Sequence, residues 1–389
     1  MKLDPASSLP KDGTAGTLAG RIWRPDVSGP SVVAVRGTGV FDVSASYPTM
    51  RDLCEQLDPA AALHAVKGER VCALEDLLAN SVETTRDASK PWLLAPVDLQ
   101  AVKAAGVTFP VSMIERVIEE KARGSAEAAH AVRAEITRLV GGDLHKLKPG
   151  SGEAMALKEV LIKAGAWSQY LEVGIGPDAE IFTKCPPMAA VGTGSDAGLH
   201  PASTWNNPEP EVVLVVASTG WISGATLGND VNLRDVEGRS ALLLGKAKDN
   251  NASACLGPFI RFFDATFTLD DVRQMEVRLH VKGEDGFALS GRSNMGMIAR
   301  DPVDLAGQML GAHHQYPDGA VLYCGTMFAP VEDRDSTGQG FTHKTGDVVT
   351  ISSDKLGALT NRMRSSSHCA PWTYGTRALM QNLAHRGLL

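Results

Sequence analysis

Three acidic residues between positions 206 and 235 have a spacing that could hold a metal ion. Glu209 and Glu211 are two residues apart, which places both side chains on one face of a β-strand. Pro210, between them, faces the other way and indicates an edge or a bulge at the start of that strand. Spacing alone leaves a plain alternative, a charged strand edge, because Glu-x-Glu is a common pattern.

The residues that follow bring a third carboxylate towards the same place. The apolar run 212–216 continues the strand, residues 220–224 turn the chain, and Asp230 lies near the end of the returning strand. Three carboxylates beside a buried strand repel one another unless they are protonated or share a cation. An all-oxygen ligand set favours Mg²⁺, Mn²⁺ or Ca²⁺ over Zn²⁺ and leaves positions for water and a bidentate substrate.

Two other polar groups are predicted to have no catalytic role. His313 and His314 are adjacent in the sequence, so they rarely face one site, and no third ligand follows at helical spacing. The serines at 365–367 form a polar connection, because the G-x-S-x-G pattern of a nucleophile elbow is missing. Neither group changes the prediction of a carboxylate metal site.

The elements that must position the carboxylates begin with a β-rich segment. Residues 20–44 alternate β-branched stretches with turns, and the Gly-Thr-Gly at 37–39 is typical of a hairpin connection. Two prolines flank a short apolar strand at 91–97, as in a linker. We therefore predict an N-terminal β-rich domain over residues 1–92 and a catalytic domain over 93–389.

Helices are expected near the start of the second domain. Between residues 111 and 170 apolar side chains recur at three- and four-residue spacing, which predicts a helical segment. After residue 171 the sequence consists mostly of short strands and turns. The predicted fold class is α+β, with a mainly β catalytic domain that contains a helical insertion.

Composition limits the partners and the compartment. The 389 residues carry a net charge of −7, which argues against nonspecific nucleic-acid binding because polyanion binders need a basic surface. The six cysteines are scattered without a C-x-x-C pair, as in a reducing compartment. The N-terminus lacks an apolar stretch of a signal sequence. We expect a cytoplasmic protein with no nucleic-acid or membrane partner.

The segment around Asp230 resembles the signature of the fumarylacetoacetate hydrolase family. That family shows an E-x-E strand, then N-D-V-S-x-R-D, then a lysine, then L-G-P. The chain matches it at 209–211, 229–231, 234–235 and 256–258, and the resemblance covers most of residues 95–365. It implies a distorted β-roll after a small N-terminal domain, with Mg²⁺, or sometimes Mn²⁺ or Ca²⁺, bound by the residues that match the family's carboxylates. In this chain those residues are Glu209, Glu211 and Asp230.

One departure from the family pattern bears on the reaction. Family hydrolases carry G-x-N-Y-x-x-H-x-x-E, and this chain has Ser112 at the histidine position while Glu115 keeps the glutamate. Serine cannot act alone as a base at neutral pH, so hydrolysis of a carbon–carbon bond is in doubt. The segments around 237–238 and 250–251 and the chain's ending resemble the sugar-acid branch of the family, the 2-keto-3-deoxypentonate dehydratases.

The resemblance implies a lyase of non-phosphorylative pentose breakdown. Its substrate would be a 2-keto-3-deoxypentonate, either the D-xylonate/D-arabinonate form or its L-enantiomer, and its product 2-oxoglutarate semialdehyde. The reaction would pass through a metal-stabilised enolate that loses the C4 hydroxyl. Two alternatives stay open: a diketo-acid hydrolase or decarboxylase of the same fold, and a catalytically idle keto-acid binding protein. Assembly as a homodimer or homotetramer follows the family's habit.

Two lysines compete for the place beside the metal. Lys248 matches the family's lysine before L-G-P, and Lys246 is the competitor. Either could stabilise the enolate oxygen, or take the C3 proton if burial lowers its pKa. Glu115 could act as acid or base on the C4 hydroxyl, with Ser112 as a hydrogen-bonding neighbour; otherwise Glu115 is a solvated glutamate at a helix start.

Three further residues are expected to bind substrate. Thr326, in the turn that matches the family's Gly-Thr, could contact the substrate carboxylate, or it could be a threonine satisfied within its turn. Lys184 matches the lysine of the family's F-x-K and could position the substrate, although a surface lysine is the plain alternative. Arg234, in the matched Arg-Asp pair, is also assigned to substrate binding.

Overall fold

The computed structural model describes residues 1–130, 133, 147–163, 165, 167–330, 332–337 and 340–389. In this part of the chain the strands form one sheet of eleven strands and one of five. The strands are β1 (Leu18–Arg24), β2 (Gly29–Arg36), β3 (Gly39–Asp42), β4 (Glu69–Ala73), β5 (Trp92–Leu93), β6 (Ala101–Gly106), β7 (Glu180–Cys185), β8 (Asp196–Leu199), β9 (Pro210–Val216), β10 (Ile222–Asp230), β11 (Ala254–Phe262), β12 (Glu276–Lys282), β13 (Ala288–Asn294), β14 (Ala320–Tyr323), β15 (Val348–Ser353) and β16 (Gly357–Ser365).

The helices are short, and they are named here by their residues. Their bounds are Pro5–Ser8, Met50–Cys54, Pro59–Ala65, Leu74–Asn80, Pro110–Lys121, Gly152–Lys163, Gln169–Ile175, Arg234–Glu237, Leu244–Lys248, Leu269–Arg273, Pro302–Met309 and Thr376–His385. Among the described residues, none of the helices has both the length and the apolar composition to cross a membrane. Mixed sheets with interspersed helices confirm the predicted α+β class.

The large sheet joins strands from both ends of the chain. Its order is β4-β3-β2-β1-β11-β10-β9-β14-β6-β7, with β5 paired to β1. β1 runs antiparallel to β11, with Leu18 opposite Arg261, and the hairpin predicted at residues 37–39 joins β2 to β3. Because β1 pairs with β11, the sheet continues across the boundary predicted between residues 92 and 93. The division into 1–92 and 93–389 stays a prediction.

β9 and β10 form the hairpin that the sequence predicts. Leu214 lies opposite Ala225, and the turn between the strands contains Gly220, whose φ of +87° is a conformation that glycine adopts readily. Pro210 is the first residue of β9, which lies between β10 and β14 and not at an edge of the sheet. A proline that opens a strand interrupts few ladder hydrogen bonds, so it is tolerated in this inner strand.

Several strand ends meet at one end of the large sheet. β14 is parallel to β6 and antiparallel to β9, while β7 is antiparallel to β6. The last residues of β6, β10 and β14 therefore lie at the same end of the sheet as the first residues of β7 and β9. Side chains that are distant in the sequence can meet there.

Both faces of β9 are buried. Val212 and Leu214 pack in a cluster with Leu279 of β12 and Ile351 of β15, so the five-stranded sheet covers this face. Val213 and Val215, on the other face, pack in a second cluster that includes side chains of β2 and β11. Burial of an aliphatic side chain contributes roughly 1.5–3 kcal/mol. This packing fixes the strand that begins between Glu209 and Glu211.

The helix Pro110–Lys121 lies beside the start of β9. Its first residue is proline, whose fixed φ suits the first turn of a helix. Met113, Val117 and Ile118 are buried in a cluster with residues of the helix Gln169–Ile175. Pro110–Lys121 and Gly152–Lys163 overlap the helical segment predicted at 111–170, and Gln169–Ile175 extends beyond its end. The middle of the segment falls largely outside the described residues and is not tested there.

Candidate active site

The three carboxylates predicted to bind a metal ion are brought together in the structure. Glu209 and Glu211 come from the start of β9, and Asp230 is the last residue of β10. One oxygen of each lies within 4.8 Å of the others, and all three side chains are buried. The main-chain N–H of Asp230 donates to the carbonyl of Glu209 at 3.1 Å, which ties the end of one strand to the start of the other.

Basic side chains surround two of the carboxylates. The Nζ of Lys248 lies 2.5 Å from Glu209 Oε2 and 3.1 Å from Asp230 Oδ2. The Nζ of Lys184, which is fully buried, lies 2.7 Å from Asp230 Oδ1 and donates to the carbonyl of Val231. The negative charges of Glu209 and Asp230 are therefore compensated by lysine side chains.

Glu211 differs from its two neighbours. Its Oε2 accepts a hydrogen bond of 2.6 Å from the main-chain N–H of Gly325, and no basic side chain among the described residues forms an ion pair with it. Burial, together with the negative charges of Asp230 and Glu209, raises the pKa of Glu211 well above its usual value. Burial also raises the pKa of Glu209, while for Asp230 the lysines outweigh burial and lower the pKa.

This donor set fits a hard divalent cation. It offers three carboxylate groups and one of them, Glu211, has no positive partner although it is buried. Such a group gains from a cation because an unpaired buried charge is unfavourable. Oxygen-only ligands are those that Mg²⁺, Mn²⁺ and Ca²⁺ prefer. Glu209, Glu211 and Asp230 are the residues that would hold the ion.

Arg116 also contacts the triad, and the sequence patterns do not point to it. Its guanidinium lies 2.5 Å from Glu209 Oε1, 2.7 Å from Glu119 and 3.1 Å from Glu237. Burial opposes the charge of Arg116, but Glu119, Glu237 and Glu209 hold its pKa above the usual value. Arg116 belongs to the helix Pro110–Lys121, so this ion pair connects the helix to the triad. No local motif marks it, because Glu209 and Glu237, two of its three partners, are distant in the sequence.

The two candidate lysines have different environments. Lys248, the last residue of the helix Leu244–Lys248, is buried between two carboxylates, whereas Lys246 is exposed. Burial opposes the charge of Lys248, but Asp230 and Glu209 hold its pKa above the ordinary lysine value. The structure therefore brings Lys248, and not Lys246, to the triad.

Ser112 and Glu115 both lie on the helix Pro110–Lys121. Among the described residues, no hydrogen bond joins the two side chains. The hydroxyl of Ser112 donates to the carbonyl of Phe109 at 2.9 Å. Glu115 is buried and forms ion pairs with Arg133 and, at 3.5 Å, with Arg234. Its carboxylate is thus paired with two arginines.

The predicted substrate-binding residues are divided between two places. Lys184 lies on Asp230 as described above. Thr326 is buried and immediately follows the glycine that donates to Glu211; its Oγ1 accepts a hydrogen bond of 3.1 Å from Phe328 N–H. Arg234 lies 2.7 Å from Glu119 and stacks on the ring of Trp205 at 4.2 Å, so it reaches the triad only through Glu119 and Arg116.

Comparison with known families identifies the part of the chain that carries the triad. Residues 178–364 match the family model described as fumarylacetoacetate (FAA) hydrolase C-terminal. This range contains the three carboxylates together with Lys184 and Lys248, and it excludes the helix that carries Arg116. The match confirms the family resemblance that the sequence motifs predict.

Two curated relatives are dehydratases of sugar acids. The chain is 28% identical over 192 residues to the probable 2-keto-3-deoxyxylonate dehydratase of Haloferax volcanii. It is 30% identical over 183 residues to the 2-dehydro-3-deoxy-D-arabinonate dehydratase of Saccharolobus solfataricus. The matches cover 49% and 46% of this chain and 62% and 57% of the relatives. The chain thus spans less than two thirds of the length of these relatives.

Solved structures with the same fold include 2-keto-3-deoxy-D-arabinonate dehydratase in its apo form, with a TM-score of 0.62, and complexed with magnesium and 2,5-dioxopentanoate, with a TM-score of 0.61. Both are 20% identical to this chain, and each comparison covers 90% of this chain and 99% of the other. At this identity the likeness shows the fold. Residues 178–364 therefore form a fumarylacetoacetate hydrolase C-terminal domain, within a chain that shares its fold with these dehydratases.

Proposed function

We propose that the protein is a lyase that dehydrates a 2-keto-3-deoxypentonate to 2-oxoglutarate semialdehyde with the help of Mg²⁺. The observation that carries this proposal is the buried triad of Glu209, Glu211 and Asp230, in which Lys248 bridges two members. Both curated relatives are named as dehydratases of such acids. A structure of the same fold is complexed with magnesium and 2,5-dioxopentanoate, another name for the semialdehyde.

The residues of the site support chemistry through an enolate. Glu209, Glu211 and Asp230 would hold a divalent cation, which would supply positive charge to polarise a 2-keto group. Lys248 adds a buried positive charge beside it, and its raised pKa favours the role of a cation over that of a proton acceptor. Thr326, next to Gly325 at the same end of the sheet, would donate a hydrogen bond to the substrate carboxylate.

The reaction removes one molecule of water. A proton leaves C3, the electron pair forms an enolate, and the C4–O bond breaks as a C3=C4 double bond forms. The resulting 5-hydroxy-2-oxo acid tautomerises to the semialdehyde without losing further atoms. Negative charge develops on the C2 oxygen during this step. The buried cation of Lys248 would stabilise that charge, because such an effect is large where water is excluded.

A diketo-acid hydrolase or decarboxylase is the alternative. Hydrolysis needs an activated water, and the position of the family's histidine holds Ser112, whose hydroxyl is used within its own helix. Glu115 is held by Arg133 and Arg234. This arrangement favours dehydration over hydrolysis.

A coupled assay tests the proposal. Purified protein is incubated with each enantiomer of 2-keto-3-deoxypentonate, with Mg²⁺ and with EDTA, and semialdehyde formation is followed. We expect metal-dependent turnover of one enantiomer. A 2,4-diketo acid serves as the comparison substrate, and prompt release of pyruvate from it without semialdehyde from either pentonate would contradict the proposal. The cytoplasmic location and assembly as a homodimer or homotetramer are predictions from the sequence alone.

A further inference from the structure

A cavity lined by aromatic and basic side chains lies apart from the carboxylate triad. None of the described residues that line it belongs to the triad or to the two lysines that contact the triad. Its volume of about 210 Å³ is below the range of pockets for drug-sized ligands, roughly 300–1,000 Å³, so it suits a smaller molecule. The name aromatic cavity refers to the space between Arg21, Trp23, Arg86, Trp92, Met188 and Tyr374.

The apolar wall of the aromatic cavity consists of packed rings. Trp23 and Trp92 stack with their ring centroids 5.8 Å apart, and Tyr374 meets Trp23 edge-on at 5.2 Å. All three side chains are only partly buried by the chain itself. Aromatic rings offer a flat apolar surface on which another ring can pack. This wall therefore fits a ligand with a planar, apolar body.

Arg21 brings a positive charge to the cavity and has few partners for it. The residue is only 5% exposed, and in the described part of the chain its one ion pair is with Asp98, at 4.0 Å. Its hydrogen bonds go to the carbonyl of Val97 at 3.1 Å and to the sulfur of Met188, which is a weak acceptor. A buried guanidinium with so few acceptors gains from an anion nearby.

Two further donors of the cavity have no acceptor. The Nε of Arg86 and the hydroxyl of Tyr374 are buried, and neither has a hydrogen-bond partner among the described residues. The guanidinium of Arg86 is held in place, because it donates to the carbonyl of Ser81 at 3.0 Å and lies over the ring of Trp92 at 5.0 Å. Buried donors without an acceptor are unfavourable, so both groups favour a ligand that accepts hydrogen bonds.

The two acidic side chains that line the cavity already have partners. Asp196 forms ion pairs with Arg362 at 2.9 Å and with Arg364 at 3.1 Å. Glu83 accepts a hydrogen bond of 2.8 Å from the main-chain N–H of Asp196. The negative charge at this side of the cavity is therefore engaged within the chain, whereas the arginines on the other side are not fully satisfied.

We propose that the aromatic cavity is a second ligand site, which binds a small organic carboxylate with a planar, apolar body. The carboxylate accepts hydrogen bonds from Arg21, Arg86 and Tyr374. The apolar body lies against the rings of Trp23 and Trp92. Charge-assisted hydrogen bonds to guanidinium groups are stronger than neutral ones, so the site selects an anion over a neutral molecule of the same shape.

A ligand in the cavity would also contact the loop that follows Lys248. Ala252 lines the cavity, and the hydroxyl of Ser253 donates to the carbonyl of Lys248 at 2.8 Å. Asn251 donates at 3.1 Å to the carbonyl of Ala370, which lines the cavity as well. The loop thus joins the cavity to the lysine on the triad, and an occupied cavity should restrict its motion.

Binding of benzoate to the metal-free protein tests the proposal. Benzoate is the probe because it joins a carboxylate to a flat ring, while benzamide and benzylamine carry a neutral and a positive group on a similar ring. EDTA is present throughout, so benzoate cannot bind through a cation at the triad. Tryptophan fluorescence measures affinity, and hydrogen exchange with mass spectrometry locates the bound probe.

We expect saturable quenching by benzoate, with benzamide and benzylamine binding at least about tenfold more weakly. Tyr374→Phe should weaken benzoate binding by about fivefold and leave the melting temperature unchanged or higher, because the hydroxyl has no partner in the free protein. Tyr316→Phe makes the same change at a tyrosine that does not line the cavity, and it should bind benzoate as wild type does.

Benzoate should slow hydrogen exchange in the segments 188–195, 249–253 and 369–374. Exchange at 209–211 and 325–326, next to the triad, should not change. Slower exchange at the triad segments instead, equal binding of benzamide or benzylamine, or equal effects of the two tyrosine substitutions would each overturn the proposal. So would the absence of saturable binding up to about 10 mM benzoate. None of these measurements requires turnover, so their outcome is independent of the proposed function.

Discussion

Lys248 is a buried cation held between two carboxylates, and this arrangement limits what it can do. Its Nζ lies within 3.1 Å of both Glu209 and Asp230. A lysine that is ion-paired in this way keeps its proton and offers positive charge, whereas an isolated buried lysine would tend to lose it. The side chain is therefore suited to stabilising negative charge on the substrate near the metal ligands.

Substitution of the two neighbouring lysines distinguishes their roles. Lys248→Met removes the buried cation, and we expect turnover to fall by about 100-fold or more because charge stabilisation in a water-excluded site is a large contribution. Lys246→Met is the matched control, and its turnover should stay within about twofold of wild type because this side chain is exposed. Steady-state kinetics measures both. Equal losses in the two variants would contradict the assignment.

Glu211 makes metal binding depend on pH. Its pKa is raised by burial and by the charges of Asp230 and Glu209, so in the metal-free protein a proton competes with the cation for this carboxylate. A group with a raised pKa must release its proton when the metal binds, and affinity therefore increases as the pH rises.

We expect Mn²⁺ affinity to increase between about pH 5 and about pH 8, with release of protons on binding. Isothermal titration calorimetry in two buffers of different ionisation enthalpy measures both quantities. Glu159→Gln, which removes an exposed carboxyl group, is the control and should show the same pH dependence of Mn²⁺ affinity as wild type. An affinity that is constant over this range, with no buffer dependence of the heat, would show that Glu211 is already ionised.

At the level of elements, the helix Pro110–Lys121 is connected to the triad by Arg116. Its guanidinium contacts Glu209, Glu119 and Glu237 at once. A planar guanidinium can satisfy several carboxylates, whereas a lysine offers a single point of charge. Removing the arginine would leave these buried carboxylates without a shared cation.

We expect Arg116→Met to lower the free energy of unfolding by about 3–5 kcal/mol in the metal-free protein, the effect of removing one partner of a buried ion pair. Lys121→Met, at an exposed position of the same helix, should change it by less than about 0.5 kcal/mol. Urea denaturation followed by circular dichroism measures the difference. Equal stability of the two variants would mean that the contacts of Arg116 contribute little.

The sequence predicts local elements well and distant contacts poorly. The hairpin that brings Asp230 to Glu209 follows from alternating side chains and turn residues, all of which lie within one short segment of the sequence. Arg116 is 93 residues from Glu209, and no periodic pattern relates them.

The domain boundary shows the same limit. A proline-flanked apolar strand at residues 91–97 predicts a linker. This local pattern contains no information about the pairing of β1 with β11. Strand pairing between segments that are more than 200 residues apart depends on the complete sheet. The family motif, by contrast, correctly identifies the three carboxylates as neighbours. The residues that carry them lie in a single hairpin, so the motif is local in the sequence.

At the level of the whole molecule, the first 92 residues share a core with the strands of the site. Val32 and Ala34 of β2 pack in the same buried cluster as Val213 of β9 and Ile260 of β11. The link between the two parts of the chain is exposed at residues 87–90. Cutting the chain there would break one covalent connection but leave the strand pairing and the shared core in place.

We therefore expect a nicked protein to stay together. A specific protease site replaces residues 87–90, and after cleavage the two pieces should elute as one species on gel filtration in native buffer and separate in urea. The shared apolar cluster supplies the attraction, since burial contributes roughly 25 cal/mol per Å² of apolar surface. The uncut protein with the same replacement is the control. Pieces that separate in native buffer would show that residues 1–92 form an independent domain, and the continuous sheet would then contribute little to holding β9 and β10 in place.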